Sequence, residues 1–436
     1  MRKTVENAAD YVAGAGARAW EVPGIGRDLP RRPVRSVGIL GAGTMGGGIA
    51  MNFATAGIPV KILETTQQAL DRGLGIIRGN YQRSADKGRF TQDELEARMG
   101  RIEGVLDMAS LAECDLIIEA VFEDIDLKKK IFADLDAAAK AGAILATNTS
   151  ALDIDEIASV TSRPQDVIGL HFFSPANVMK LLEIVRARHT ADDVVATGMD
   201  LAKTIGKVAV LVGVCWGFVG NRMLRARRLQ AEKLMFSGVM PWDIDKAIND
   251  FGFRMGPFQM SDLAGLDIGW APGKTTEYPV RDALCEMGRR GQKTAAGWYD
   301  YEGREGVPSE VTARVIREIT GARPRQVSAD EIVTTCLYPM VNEGVRILQE
   351  NKAQRPSDID VVWLNGYGWP AETGGPMYWA DKVGAAAILA KMEALGAEDA
   401  GFAPAEGLRR LSDEGGSFLD LDFGGLKTIG QQGKAA

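Results

Sequence analysis

Histidine and cysteine are scarce in this chain of 436 residues, with two of the first and four of the second. The cysteines (Cys114, Cys215, Cys285, Cys336) lie far apart with no C-x-x-C pair, the usage of a reducing compartment and not of a disulfide framework. So few nitrogen and sulfur ligands leave almost nothing from which to build a structural zinc site. An acid–base role for histidine has only two candidates, His171 and His189. Long apolar runs are missing as well. The longest, Val208 to Gly220, falls well short of the roughly 20 residues that span a bilayer. There is no basic surplus either: 51 Lys and Arg stand against 58 Asp and Glu, a net charge of −7. Nucleic acid and anionic membrane are therefore not expected partners.

Glycine, by contrast, is abundant at 51 residues, so many tight turns or close backbone approaches are expected. Hydrophobic (46%) and charged (25%) fractions are ordinary for a soluble globular protein, and the length suggests two or three domains. Residues 1–33 read as an alanine-rich helix to Trp20 and a linker broken by Pro23, Gly24, Gly26, Pro30 and Pro33, a poor signal or transit peptide. From Val34, short apolar runs alternate with helical stretches. Strands are expected at 36–40, 60–64, 115–119, 143–147, 167–171, 181–185 and 208–212, the first four as a parallel sheet of βαβ units. Beyond about residue 213 the strand signal stops and the rest reads as helices. That half repeats itself. Pro241-Trp-Asp-Ile-Asp245 returns as Pro356-Ser-Asp-Ile-Asp360, and Gly256-Pro257 with Asp262 and Gly265 returns as Gly375-Pro376 with Asp381 and Gly384. Two blocks in the same order indicate a duplication.

The strongest local signal is Val37-Gly-Ile-Leu-Gly41-Ala-Gly43-Thr44-Met45-Gly46, which follows an apolar strand and opens a helix. A second strand then ends at Glu64. In this setting G-x-G-x-x-G is a dinucleotide-binding arrangement. Gly41 allows the tight turn, Gly43 admits the pyrophosphate, and Gly46 lets helix and strand pack closely. The helix N-terminus, with Thr44 and Met45 in its first turn, offers N–H groups to the phosphates. Glu64 can accept hydrogen bonds from the adenosine ribose and would repel a 2′-phosphate, so NAD is favoured over NADP. The expected organisation is α/β plus all-α. It comprises an N-terminal helix and linker (1–33), a Rossmann-type dinucleotide-binding domain (34–213), and two duplicated helical domains (214–325 and 326–436).

His171 ends the strand Val167-Ile-Gly-Leu-His171, and the strand Leu181-Leu-Glu183-Ile-Val comes after a turn-like segment. An antiparallel hairpin centred on Asn177 would set residue 171 opposite residue 183, on one face. A carboxylate beside an imidazole orients the ring and fixes its tautomer, which suits a general base. The pair alone is as consistent with a structural contact as with catalysis; downstream of a nicotinamide site the catalytic reading is preferred. His189, in the polar stretch Arg186-Ala-Arg-His-Thr, reads as an exposed surface histidine.

Taken together, the run from Gly41 to Thr147-Asn-Thr-Ser150, His171-Phe-Phe-Ser-Pro…Met-Lys-Leu-Leu-Glu183 and Gly217-Phe-Val-Gly-Asn221-Arg-Met-Leu resemble L-3-hydroxyacyl-CoA dehydrogenases. So do Gly252-Phe-Arg-Met-Gly-Pro-Phe and Gly291-Gln-Lys-Thr. The duplication, with Gly366-Tyr-Gly-Trp-Pro and Gly374-Gly-Pro-Met, looks most like the dehydrogenase part of peroxisomal-type multifunctional β-oxidation enzymes. The resemblance covers roughly residues 34 to 400. It departs from the pattern at Ser174, at Ala226-Arg227 and at Ala295-Ala296-Gly297.

The resemblance implies His171 as catalytic base with Glu183 as its partner, and Ser150 and Asn221 hydrogen-bonding the substrate near the reacting carbon. Glu123, Lys128 and Lys293 match cofactor-contacting positions, as does Ser150. From its residues alone, Lys128-Lys-Lys130 reads as a solvated charged face. The basic region around Arg78, Arg83 and Lys87 matches the segment on which relatives bind CoA, and also reads as an ordinary solvated helix. The expected activity is NAD-dependent oxidation of an L-3-hydroxyacyl-CoA thioester to the 3-oxoacyl-CoA in fatty-acid β-oxidation. The alternatives are a dehydrogenase of a non-CoA hydroxy acid and a non-catalytic NAD-binding subunit. A second helical copy in one chain could satisfy the surface that single-function relatives pair between subunits, so a monomer is expected. Some 33 residues before the sheet are too few for a hydratase domain, so hydratase activity is expected to be absent, in a dehydrogenase-only protein or a fragment. The chain ends Gly-Lys-Ala-Ala without a Ser-Lys-Leu signal, making cytoplasm the default.

Overall fold

The structure, a computed structural model, describes residues 7–26 and 28–421. Residues 1–6 of the expected N-terminal helix, and the last four residues on which the import-signal reading rests, lie outside the described residues. The chain divides into two compact units. The first takes residues 1–222 and 347–367 together with the segment from Phe418, and the second takes 223–346 and 368–417.

In the first unit, eight strands form one sheet: β1 (Val37–Leu40), β2 (Val60–Leu63), β3 (Ile102–Val105), β4 (Leu116–Glu119), β5 (Ile144–Thr147), β6 (Val167–Phe172), β7 (Leu181–Arg186) and β8 (Val208–Gly213). Their order is β3-β2-β1-β4-β5-β6-β7-β8. Neighbours run parallel except β6 and β7, which pair antiparallel. Most of these runs are rich in Val, Ile and Leu because a parallel sheet covered by helices must be apolar on both faces. Ile39, Ile62, Ile118, Ile168 and Ile184 are accordingly buried in one core. The strand order reverses between β1 and β4, and a crevice at such a switch point, outside the strands' carboxyl ends, is where ligands bind in open α/β sheets. β3 was not among the expected strands: Glu103 and Gly104 leave it two apolar residues, too few for a periodic signal.

The helix Pro356–Gly366 also belongs to this unit and packs on β7 and β8. An isolated bridge, Val212 to Ala353, joins the stretch before it to β8. The helix Ala8–Arg18 packs on it in turn, and the buried Tyr11 hydroxyl donates to Asp360.

The second unit is largely helical, with one correction to the expectation. β9 (Tyr299–Glu302) and β10 (Glu305–Pro308) form an antiparallel hairpin. β10 is exposed along its whole length, so it carries no inward–outward alternation to read. All four repeat blocks begin helices with proline in the first turn: Pro241–Phe251, Pro257–Ala264, Pro356–Gly366 and Pro376–Val383. The repeated aspartates do structural work. Asp245 accepts from the Phe258 and Gln259 amides and the Tyr299 hydroxyl. Asp262 accepts from the Trp298 and Tyr299 amides and the Tyr301 hydroxyl, so both buried carboxylates tie helices to the hairpin. Among the described residues no helix is long and apolar enough to cross a membrane.

Candidate active site

The glycine loop leaves β1 at Gly41, whose φ of +97° lies where only glycine is at ease. A Cβ at Gly46 would overlap the Gly41 carbonyl oxygen, so helix and strand approach as closely as the motif requires. Gly43 caps the helix Thr44–Thr55, and a Cβ built there meets nothing within 4 Å. The first-turn N–H groups of this helix find no acceptors within the helix itself, and no side chain of the cap residue takes one. Glu64 comes directly after β2 and accepts from the Ala42 amide at 2.8 Å, which brings its carboxylate to the loop. The residues present fit a dinucleotide, with the Glu64 carboxylate beside the glycine loop.

A second cluster forms beyond β4 and β5. Glu119, fully buried at the end of β4, accepts from Lys128 Nζ at 2.6 Å, from the Thr147 hydroxyl at 2.7 Å and from the Val121 amide at 2.8 Å. The solvated-face reading of Lys128 is thus overturned: the phase of the helix Ile125–Ala138 turns it inward, where it is 1% exposed. Glu123 lies 3.4 Å from the same ammonium. It also accepts from the Thr149 hydroxyl at 2.6 Å, and from the Ser150 amide and hydroxyl at 2.7 and 3.1 Å. Burial pushes the Glu123 carboxyl up. The Thr149 hydrogen bond, the Lys128 charge and the two Ser150 contacts outweigh it and hold the group below its ordinary value.

The hairpin register is as expected, His171 on β6 standing opposite Glu183 on β7. His171 Nδ1 is 2.7 Å from Glu183 Oε2, with both residues buried. Glu183 Oε1 accepts from the Val219 and Gly220 amides at 3.2 and 3.0 Å, where the helix Gly220–Phe236 begins. The carboxylate is held from behind by a helix N-terminus and in front by the imidazole. Phe173 and Phe218 flank the ring, with centroids 4.4 and 5.5 Å away. The loop after β6 is fixed by Lys207, which donates to the Ala176 and Met179 carbonyls and whose ammonium burial pushes down to about 8.

Asn221 joins the same unit. Its Nδ2 donates to the Ser150 carbonyl at 3.4 Å, and its Oδ1 accepts from the Tyr367 hydroxyl at 2.7 Å. The expected residues fall into different places. Gly41, Gly43, Gly46 and Glu64 share the loop, while Glu123, Lys128 and Ser150 share the second cluster. His189 is exposed. Arg83 and Lys87 are exposed at the end of the helix Gln67–Ala85 and just beyond it, while Arg78 is engaged by Glu96 through both terminal guanidinium nitrogens. Lys293 stands in the second unit, exposed, in an ion pair with Asp267. Sequence reasoning missed Glu119, Thr149, Lys207 and Tyr367. Glu119 carried a signal of its own, a carboxylate closing an otherwise apolar strand, while Thr149 and Tyr367 lay inside stretches that carry the resemblance.

Comparison with known proteins agrees with this geometry. Residues 36–215 match the 3-hydroxyacyl-CoA dehydrogenase NAD-binding domain, and residues 217–301 and 332–417 match the family's C-terminal domain in two parts. The peroxisomal bifunctional enzyme of Cavia porcellus is 47% identical over 412 residues, covering 88% of this chain and 56% of that protein. The chain therefore spans about half the length of the curated relatives it matches. The crystal structure of the dehydrogenase part of multifunctional enzyme 1 from C. elegans is 32% identical with a TM-score of 0.64, covering 92% of this chain and 96% of that one. That of 3-hydroxybutyryl-CoA dehydrogenase from Escherichia coli K12 is 26% identical with a TM-score of 0.74, covering 88% and 99%. With an NAD-binding domain on the glycine loop and a C-terminal domain matched in two parts, the chain belongs to the 3-hydroxyacyl-CoA dehydrogenase family of oxidoreductases.

Proposed function

We propose that the chain oxidises an L-3-hydroxyacyl-CoA to the 3-oxoacyl-CoA, with His171 as general base and Glu183 as its fixed partner. The observation that carries this reading is the buried 2.7 Å contact between His171 Nδ1 and a carboxylate whose other oxygen is anchored by two backbone amides. It commits the ring proton to Nδ1 and leaves Nε2 with a lone pair for the 3-hydroxyl proton. Glu183 then stabilises the imidazolium. Bound NAD supplies the hydride acceptor. Ser150, whose hydroxyl hydrogen rests on Glu123 in the free chain, turns it to the substrate oxygen, and Asn221 offers an amide donor to the same oxygen while the substrate's own hydroxyl proton goes to His171. Lys128, through Glu119 and Glu123, holds the strand ends that carry Ser150. Arg83 and Lys87 supply exposed cations for CoA phosphates. Two helical copies within one chain support a monomer, which light scattering over a range of concentrations would check.

The test mixes purified protein, NADH and acetoacetyl-CoA and monitors nicotinamide absorbance. Oxidation of NADH that requires the thioester is the expected result. His171→Ala should bind NADH as the wild type does and turn over about 10³-fold more slowly; near-normal turnover would overturn the assignment.

A further inference from the structure

The segment Gly366-Tyr-Gly-Trp-Pro belongs to the second helical repeat, yet its tyrosine ends in the first unit beside Asn221. An asparagine side chain has two nearly isosteric orientations, and its neighbours decide between them. The Ser150 carbonyl can only accept, so it demands the NH2 end of Asn221 on its side. The Tyr367 hydroxyl donates to Oδ1 at 2.7 Å on the other. Together they fix one orientation. One Nδ2 hydrogen goes to Ser150, and the second is left pointing to whatever oxygen enters.

The tyrosine is itself well seated. Its ring stacks on Trp363 at 4.6 Å and meets Phe173 edge-on at 5.5 Å. Phe173 in turn lies against the His171 ring. Room for the hydroxyl comes from Gly220, where a methyl group would overlap the ring edge and oxygen of Tyr367. The same Gly220 gives its amide to Glu183, so one backbone position serves both the base and the oxygen-holding amide.

We propose that Tyr367 is a positioning residue for the reaction, fixing the Asn221 amide that holds the substrate oxygen. This rests on the function proposed above. Tyr367 touches no reacting atom; it acts through Asn221.

Tyr367→Phe tests it, because the ring contacts survive and only the hydroxyl is lost. With acetoacetyl-CoA and NADH, kcat should fall about 5- to 20-fold, the scale of one oriented hydrogen bond. The NADH dissociation constant and the unfolding midpoint should stay at wild-type values, which separates positioning from loss of fold. In an Asn221→Ala background the same change should alter kcat by less than about two-fold, since its effect passes through that amide. A Tyr367→Phe kcat within about two-fold of wild type, or an equal loss with and without Asn221, would overturn the inference alone. A wild-type chain that binds NADH but reduces no 3-oxoacyl-CoA would overturn the proposed function and this inference with it.

Discussion

Replacing Glu183 by glutamine keeps its volume and removes its charge, and the surrounding hydrogen bonds decide how the new amide sits. Two placements are open to it. In the first, the amide oxygen keeps the Val219 and Gly220 N–H groups and the NH2 turns toward His171. Nδ1 must then accept, the ring proton moves to Nε2, and the lone pair needed for the substrate proton is gone. In the second, the oxygen faces His171 and the NH2 is pushed against two backbone donors. Each donor left unsatisfied costs about 1–3 kcal/mol, so this placement is disfavoured by about 2–6 kcal/mol. The first placement wins. The penalty therefore falls on turnover, at the scale of a triad carboxylate replaced by its amide in serine proteases, about 10⁴-fold or about 5.5 kcal/mol. Initial rates with acetoacetyl-CoA and NADH measure it, and an unfolding scan checks that stability is nearly unchanged. Because the chain has only two histidines and His189 is exposed, 15N-labelled histidine can report the tautomer of His171 directly. A Glu183→Gln variant within about ten-fold of wild-type kcat, with the proton still on Nδ1, would refute the reasoning.

Lys128→Met removes one partner of a fully buried ion pair and leaves Glu119 charged without its cation, so unfolding free energy in denaturant should drop by about 3–5 kcal/mol. Glu123 titrates below its ordinary value of 4.5 in the folded chain. Its ionised form therefore stabilises the fold above the unfolded value, and that stability is lost as pH falls through the lower folded value. Unfolding midpoints measured between about pH 3 and 7 should fall less steeply in Glu123→Gln than in wild type. We propose that the Glu64 charge opposes a 2′-phosphate; in Glu64→Gln the ratio of kcat/KM for NADPH over NADH should then rise by about ten-fold or more, and an unchanged ratio would place the discrimination elsewhere.

The parts of the fold legible in the sequence are those with a local rule. Gly41, Gly43 and Gly46 announce the loop by spacing, and the His171–Glu183 register comes from hairpin symmetry about Asn177 once the strands are known. Lys128 escapes because three successive lysines look alike in sequence, and only the helix phase buries the first. β3 and the β9–β10 hairpin escape because polar residues and exposure erase the alternation that marks strands. Nothing local pairs Tyr367 with Asn221, which lies 146 positions away. That contact exists only because the helix before Tyr367 docks on β7 and β8.

The discontinuity of the first unit has a consequence for how the protein is made. A ribosome that has just added Arg222 has already produced all eight strands, the glycine loop, His171 and Glu183. The segment Ile347–Tyr367 that covers β7 and β8 is still unsynthesised, and at ordinary elongation rates it emerges on the order of ten seconds later. Until then Asn221 has no tyrosine to orient it, and the sheet must wait with one edge bare. A nascent chain can thus acquire its glycine loop and its His171–Glu183 pair early, whereas Asn221 gains its Tyr367 partner only when most of the polypeptide exists. On the function proposed above, a chain released before Tyr367 would carry the glycine loop and the His171–Glu183 pair without the hydroxyl that orients Asn221.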